Sequence, residues 1–478
     1  MSKYPEIKLF IGGKWRATTE TLPILNPADE SRIGTLPVAT EADLDDALGE
    51  ARRGFLTWSR TAPADRGRII LRAAQLLRER QEDIAQSITR ELGKPIRQAR
   101  LEVIRGAEFF EWDAAEGQRL YGRVIPSAPG IRYVVVRQPI GTVAAFSPWN
   151  FPMSQPARKI AGALAAGCSI ILKAAEETPA GAVHIVQAFA DAGLPPGVLN
   201  LVFGRPSEIS RHLIRQEPVR LVAFTGSTAV GKELTRMAAD HMTPVLMELG
   251  GHAPVILCDD VDPHQAAMLS AVRKFRNAGQ VCTSPTRFFV HERLAARFTE
   301  SFLARAGATK LGNGLGEEIE MGPVAHGRRL DVLQAFVDDA VARGARLLMG
   351  GRRRGDQGYF FEPTVLADVP DDARVMTEEP FGPIAVINPI ASVEEGIAKA
   401  NSVPYGLAAY AFTHSAANVD QLTNGIETGN LSINTLEASV PETPFGGVKA
   451  SGYGREGGDE GLHHYTVVKN VSHSMSLK

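Results

Sequence analysis

Short β-rich runs alternate with helical patterns along most of this chain, and that alternation constrains the fold more than any other feature. Thr142 to Phe146 and Ser169 to Lys173 are β-rich, and an Ala-rich helical segment, Pro156 to Ala166, lies between them. Val198 to Phe203 and Leu221 to Thr225 read as further strands, separated by a helical stretch near Ser207 to Arg215. Upstream, Ala42 to Ser59 and Arg66 to Gln86 space apolar residues by three and four with charges between, which predicts amphipathic helices. Strand–helix–strand repetition implies a parallel sheet with helices on both faces, and such sheets bind ligands beyond the carboxyl ends of their strands.

A second alternating block follows Glu248. Val255 to Leu257, Arg287 to His291, Arg346 to Met349 and Ile384 to Ile387 read as strands, with helices near Pro263 to Arg276, Glu292 to Ala306 and Arg328 to Ala342. Two α/β domains are the simplest account. Ile131 to Gln138 and His464 to Ser472 alternate apolar and polar residues and attach to neither block; they either pair with each other or offer an edge to a partner subunit. With 478 residues there is chain enough for two to four domains.

Charge and cysteine content narrow the function classes. The 52 Lys and Arg nearly balance 54 Asp and Glu, so nothing asks for nucleic acid as a partner. Cys168, Cys258 and Cys282 cannot build a disulfide framework, and no Cys/His spacing suggests a metal site. The longest nearly pure apolar run, Ile160 to Leu172, has 13 residues and two glycines, too short to span a bilayer. No signal-peptide pattern opens the chain. These readings predict a cytoplasmic protein with no membrane partner.

Four segments carry residues able to do chemistry. Cys282 lies in a Gly- and Pro-punctuated turn between a helical pattern and a strand, where a scaffold can present a nucleophile; alone, a cysteine is more often a small buried hydrophobe. Basic neighbours in its segment are expected to favour the thiolate. Glu248, in Met247-Glu-Leu-Gly-Gly-His, is a candidate general base, or simply a strand or helix terminus. Gly226 to Lys232 satisfies GxxxxGK after a strand, a phosphate-binding geometry, but Glu233 stands where a triphosphatase needs Ser or Thr for magnesium. Asn150, after the Thr142 to Phe146 strand, could stabilise an oxyanion or cap a helix. Gly452 to Gly457 matches GxGxxG with no strand–helix–strand unit after it, and reads as a glycine-rich loop.

Taken together, Pro148-Trp-Asn-Phe-Pro152, Ile171-Leu-Lys-Ala-Ala-Glu176, Phe224-Thr-Gly-Ser227, Met247-Glu-Leu-Gly-Gly251, Gly279-Gln-Val-Cys282 and Glu378-Glu-Pro-Phe-Gly-Pro383 resemble the motifs of the aldehyde dehydrogenase superfamily, in order and over nearly the whole chain. The resemblance implies two doubly wound α/β domains, one Rossmann-like and NAD-binding and one catalytic, plus a small β oligomerisation element. It places the NAD-binding domain at 1–126 and 147–248, the catalytic domain at 249–433, the oligomerisation element at 127–146 and 460–478, and a loop returning to the active site at 434–459. It further implies a homodimer or homotetramer.

By the same resemblance Cys282 is the nucleophile, Asn150 and the Cys282 N–H hold the oxyanion, and Glu248 activates the hydrolytic water. Lys173 and Glu176 would hold the adenine-side ribose, Gly226 and Ser227 the pyrophosphate region, and Leu249 the carboxamide. Trp149 belongs to the same cofactor-binding set, and Glu379 with Phe381 would frame the nicotinamide ribose. Ala174 departs from the family's usual Pro after the Lys. A carboxylate at Glu176 favours NAD over NADP, which stays the alternative cofactor. No metal is implied.

Arg158, Arg276 and Ser439 match the positions that bind the distal carboxylate in succinate-semialdehyde dehydrogenases. Ala175-Glu-Glu-Thr-Pro-Ala, Lys274 to Cys282, Ser284-Pro-Thr-Arg and Gly446-Gly-Val-Lys are similar to 2-oxoglutarate-semialdehyde (2,5-dioxopentanoate) dehydrogenases. Ser284 rules out a Cys-x-Cys redox switch at the nucleophile. The expected substrate is therefore an aldehyde with a distal carboxylate: succinic, glutaric or 2-oxoglutaric semialdehyde. The alternatives are a broad-specificity aldehyde dehydrogenase and a non-catalytic binding or structural protein on the same fold. Glu248 argues against a coenzyme A-acylating enzyme, a type that lacks this base.

Overall fold

The runs at Thr142–Phe146 and Ser169–Lys173 are buried at every position. Strands with no polar alternation must be covered on both faces, as in a parallel sheet layered by helices. In the computed structural model, which describes residues 3–476, they are central strands of an eight-stranded sheet. Its order is Lys14–Arg16, Leu9–Ile11, Leu199–Val202, Ser169–Lys173, Thr142–Phe146, Val219–Thr225, Val245–Glu248, Gly452–Tyr453. The five strands from Leu199–Val202 to Val245–Glu248 are parallel, and antiparallel strands close both edges. Helices Ser154–Ala166, Ala180–Asp191, Pro206–Ile214 and Thr228–Ala239 make the four crossovers.

A second sheet runs Arg346–Met349, Thr364–Ala367, Ile384–Ile390, Arg287–His291, Pro254–Leu257, Ala408–Phe412, Asn430–Ile433. Only its first pair is antiparallel. The apolar core divides with the sheets. One core gathers residues from Ile7 to Leu249 together with Leu462 and Tyr465, and the other runs from Ala253 to Ala438.

Ile131–Pro139 and Thr466–Ser474 pair antiparallel over nine residue pairs, and Arg123–Ile125 adds a third strand. Val124, Val134 and Val471 are direct cross-strand neighbours, so they form an apolar ladder on one face. Val124 is 70% exposed and Val471 40%. No helix among the described residues is long and apolar enough to cross a membrane.

Several expectations are corrected. The single helix expected over Arg66 to Gln86 is two, Pro63–Glu79 and Gln81–Leu92, broken where Arg80 leaves helical geometry at φ −101°, ψ 14°. The bend lets both apolar stripes pack on helix Ile96–Glu116, which a straight rod could not do. The bounds drawn from the resemblance put Thr142–Phe146 with the oligomerisation element at 127–146, whereas its own uninterrupted apolar run reads as a strand of the parallel sheet; it lies at the middle of the first sheet, buried on both faces. Arg123–Ile125 was expected with the NAD-binding residues and instead pairs with Ile131–Pro139. The loop expected at 434–459 contains Gly452–Tyr453, which closes the first sheet against Met247 and Glu248.

Trp58, fully buried at the end of helix Glu41–Trp58, donates from Nε1 to the Leu164 carbonyl at 2.9 Å and so ties that helix to Ser154–Ala166. Trp58→Phe removes this bond and the fused pyrrole ring, leaving the Leu164 carbonyl only the Gly167 N–H at 3.1 Å and a small void beside it, so urea denaturation should show a loss of about 1–3 kcal/mol. An unchanged midpoint would show that the bond contributes nothing.

Candidate active site

Four sequence-predicted segments follow the carboxyl ends of neighbouring parallel strands. Ser147 to Pro152 follow Phe146, Lys173 ends its strand, Gly226 and Ser227 follow Thr225, and Glu248 ends its strand. Ser227 caps helix Thr228–Ala239, its hydroxyl accepting from Val230 N.

Two cavities meet at Cys282. The larger, about 310 Å³, is lined by Trp149, Asn150, Gly226, Ser227, Leu249, Gly250, Arg329, Glu379 and Phe381, among others. The smaller, about 90 Å³, is lined by Phe109, Phe151, Arg158, Arg276, Ser439 and Phe445, among others. Cys282 and Gln155 belong to both. The structure thus brings together on one side all the predicted cofactor residues except Lys173 and Glu176, and on the other the three predicted substrate residues. Lys173 and Glu176 form an ion pair outside the larger cavity. Glu248 lines neither cavity.

The turn before Cys282 is built from left-handed residues. Asn277, Ala278 and Gly279 have φ of 49°, 53° and 70°. At Gly279 a Cβ would stand 2.1 Å from the Gly382 carbonyl oxygen, so only glycine fits against the loop that carries Glu379 and Phe381. Amide side chains hold the turn. Asn277 Nδ2 donates to Asn150 O at 3.0 Å, and Gln280 Oε1 accepts from Ala325 N at 2.9 Å. Asn150 Nδ2 donates to Gln280 O at 3.0 Å, which leaves its second N–H available. Asn150 caps no helix; the next one begins at Ser154 with no side-chain cap.

A buried ion pair fixes the Asn150 turn from behind. Lys94 and Glu102 contact each other with side chains 1% exposed. Lys94 Nζ donates to Asn150 O at 2.9 Å, and Glu102 Oε1 accepts from Met153 N and Ser154 N at 2.9 and 3.2 Å. Removing one member of such a pair strands a buried charge, a cost of about 3–5 kcal/mol. Sequence reasoning missed both residues, because nothing local to Gly93-Lys-Pro points to a site 56 residues away.

Burial dominates the electrostatics. Cys282 is pushed up to about 12 by desolvation, then by the nearby carboxylates of Glu379 and Glu248. This corrects the expectation that basic neighbours favour the thiolate. The Arg287 guanidinium turns away and donates to the carbonyls of His252, Lys399 and Ala400. Burial also raises Glu379 to about 8, and its Oε1 accepts from Gly251 N at 3.2 Å. Glu248 is held well above the usual carboxylate range by burial and then by Glu456, against Lys159, Arg158 and Arg455. Neither Glu248 oxygen has a hydrogen-bond partner. Lys159 Nζ, fully buried, donates to Glu456 Oε1 at 2.8 Å.

Arg158 and Arg276 are not solvent-facing helix charges. Arg158 is buried, its Nη2 donates to Ser439 Oγ, and its guanidinium stacks 4.0 Å above the Phe109 ring. Arg276 sits where helix Pro263–Phe275 ends, 5.4 Å from the Phe151 ring centroid. No group of three metal-ligating side chains occurs among the described residues.

The family model for the aldehyde dehydrogenase family matches residues 15–471. The chain belongs to the aldehyde dehydrogenase family. It is 46% identical over 465 residues, 97% of each chain, to the 4-(hydroxymethyl)benzenesulfonate dehydrogenase of Comamonas testosteroni. It is 38% identical over 463 residues, 96% of each chain, to the glutarate-semialdehyde dehydrogenase of Pseudomonas putida. Its fold superposes on the crystal structure of succinate-semialdehyde dehydrogenase from Burkholderia pseudomallei with a TM-score of 0.96, 38% identity and 98% of both chains covered. As a member of this aldehyde dehydrogenase family the chain is an oxidoreductase, and the family uses NAD(P). The larger cavity suits the nicotinamide and phosphate side of such a dinucleotide: it opens beyond parallel strand ends, at glycines 226 and 250 and the amino end of helix Thr228–Ala239.

The electrostatics set a pH test. Alkylation of Cys282 by iodoacetamide in the cofactor-free enzyme should keep rising beyond pH 9. At pH 9, where Glu379 is ionised, Glu379→Gln removes a negative charge beside the sulfur, lowers the thiol pKa and should speed alkylation. A rate already flat at pH 7 would show a thiolate instead.

Proposed function

We propose that the protein is an NAD-dependent dehydrogenase that oxidises an aldehyde bearing a distal anionic group to the carboxylate. Succinic, glutaric and 2-oxoglutaric semialdehydes are the substrates in view. The observation that carries this is the pair of guanidiniums, Arg158 and Arg276, in the same 90 Å³ chamber as Cys282. Two forked donors over aromatic rings suit a carboxylate, and a chamber this small seats a short chain. The names of the relatives agree in one respect: two specify a semialdehyde of a dicarboxylic acid and one a sulfonate.

In this reading Cys282 gives its proton to water, and the thiolate attacks the aldehyde carbon as the carbonyl π pair moves onto oxygen, forming a thiohemiacetal. The free N–H of Asn150 Nδ2 and the Cys282 backbone N–H receive the developing oxyanion. Trp149, Gly226, Ser227, Leu249, Glu379 and Phe381 would hold the nicotinamide side of NAD against Cys282, and the bound coenzyme would supply the hydride acceptor that lets the adduct become a thioester. Glu248 then takes a proton from the water that attacks the thioester carbonyl, and the carboxylate leaves the sulfur. Glu248 lines neither cavity, so it must turn toward Cys282 to reach the reacting water; no hydrogen bond has to break for its carboxylate to do so. Because burial pushes the Cys282 thiol up to about 12 and raises the Glu248 carboxyl, initial rates of NADH formation should rise from pH 7 toward pH 9. Lys173 and Glu176 mark the adenine-side ribose, where the carboxylate favours NAD over NADP. Residues 1–126 and 147–248, less Arg123–Ile125 and with Thr142–Phe146 added, form the cofactor domain, and 249–433 carry the nucleophile and lend Leu249, Glu379 and Phe381 to the cofactor cavity.

The three-stranded sheet is the oligomer contact of a homodimer or homotetramer. So small a sheet, with Val124 and Val471 exposed on either side of a half-buried Val134, gains stability by being covered, and a second copy supplies that cover.

Absorbance at 340 nm with NAD tests the activity. Cys282→Ala should abolish turnover while NAD still binds. Arg276→Ala should raise KM for succinic semialdehyde at least about tenfold, with little change for butanal; equal changes would remove the clamp. Val471→Glu should shift the protein to a smaller species in light-scattering chromatography. An unchanged mass would place the contact elsewhere.

A further inference from the structure

Beyond the small chamber lies an outer groove of about 740 Å³. The two share Ser154, Arg105, Arg273, Arg276 and Glu437, so these side chains form the passage between solvent and Cys282. Helix Ile96–Glu116 supplies Arg105, helix Pro263–Phe275 supplies Arg273, and the loop after strand Asn430–Ile433 supplies Glu437.

Glu437 spans the passage. Its Oε1 lies 3.7 Å from Arg105 Nη2, and its Oε2 lies 3.8 Å from Arg273 Nη1. Its backbone is pinned: the carbonyl accepts from Ser432 Oγ at 2.9 Å and the N–H donates to Thr435 Oγ1 at 3.3 Å. The carboxylate is therefore presented to arginines on two helices by a loop that also carries Ser439, the partner of Arg158.

We infer that Glu437 is a charge filter at the mouth, an internal carboxylate that pairs with Arg105 and Arg273 in the empty enzyme and yields them to the anionic end of an incoming aldehyde. This rests on the anionic-substrate reading above and adds the residue that controls access to it. Partly exposed ion pairs at these separations are weak, and Arg105 keeps Glu108 as a second partner at 3.0 Å, so the exchange costs little. A carboxylate-bearing aldehyde replaces the contacts that Glu437 gives up. A neutral aldehyde offers nothing to the guanidiniums and passes without their attraction. Until it is displaced, Glu437 cancels part of the positive field that would draw anions in.

Glu437→Gln in the full-length enzyme tests this, with kcat/KM measured for succinic semialdehyde and for butanal at about 20 mM and about 0.5 M NaCl. The variant should raise kcat/KM for succinic semialdehyde about 3- to 10-fold at low salt, through KM, and the gain should shrink toward unity at high salt. For butanal the change should stay below about twofold. Equal changes for both aldehydes, a loss for the semialdehyde, or a gain indifferent to salt would overturn the filter. Wild-type enzyme that prefers succinic semialdehyde, with Glu437→Gln unchanged, overturns the filter alone. Wild-type enzyme with no preference between the two aldehydes overturns the anionic-substrate reading, and the filter with it.

Discussion

Five strands running in one direction must end along one edge, and the site is a consequence of that. The chain leaves the sheet at Phe146, Lys173, Thr225 and Glu248, each time on the same side. Whatever follows these residues shares one trough, however far apart in sequence. The second sheet completes the trough by presenting Cys282 from a turn that ordinary backbone geometry would not make. Three successive left-handed residues, locked by Asn277 and Gln280, put the sulfur where the two cavities meet.

Removing water from that trough has a cost in charge, and the protein distributes it among several groups. Arg158 and Lys159, neighbours on one helix, are buried with Glu456, Asp113 and Glu248 around them. The same desolvation that raises the Cys282 thiol and the Glu248 carboxyl gives any charge that arrives strong leverage over each of them. Lys94 and Glu102 serve a different end. They satisfy the backbone of the 150–154 turn, which lies between Asn150 on one cavity and Phe151 on the other.

Much of this was legible in the sequence because it is local. Thr142–Phe146, Ser169–Lys173, Arg287–His291 and Arg346–Met349 carry their strand signal in their own residues, and the observed bounds agree. The motif residues around Asn150, Gly226 and Cys282 do converge on the two cavities. What escaped was decided at a distance. Leu9–Ile11 and Gly452–Tyr453 are too short to signal a strand and exist only because a sheet edge receives them. The break at Arg80 answers the shape of a third helix. The thiol reading failed because neighbours in sequence were taken for neighbours in space: Arg287 is five residues from Cys282 and gives its donors to backbone elsewhere, whereas Glu379 is almost a hundred away.

The first core takes Leu462 and Tyr465 from beyond the second sheet, and the strand at Gly452–Tyr453 closes its edge at Glu248. In assembly order, then, the half of the chain made first is not the half that is finished first. Residues 7–249 remain an open layer, with Gly162 waiting for the Tyr465 ring that packs over it, until the whole second sheet has been synthesised and the chain has come back across it.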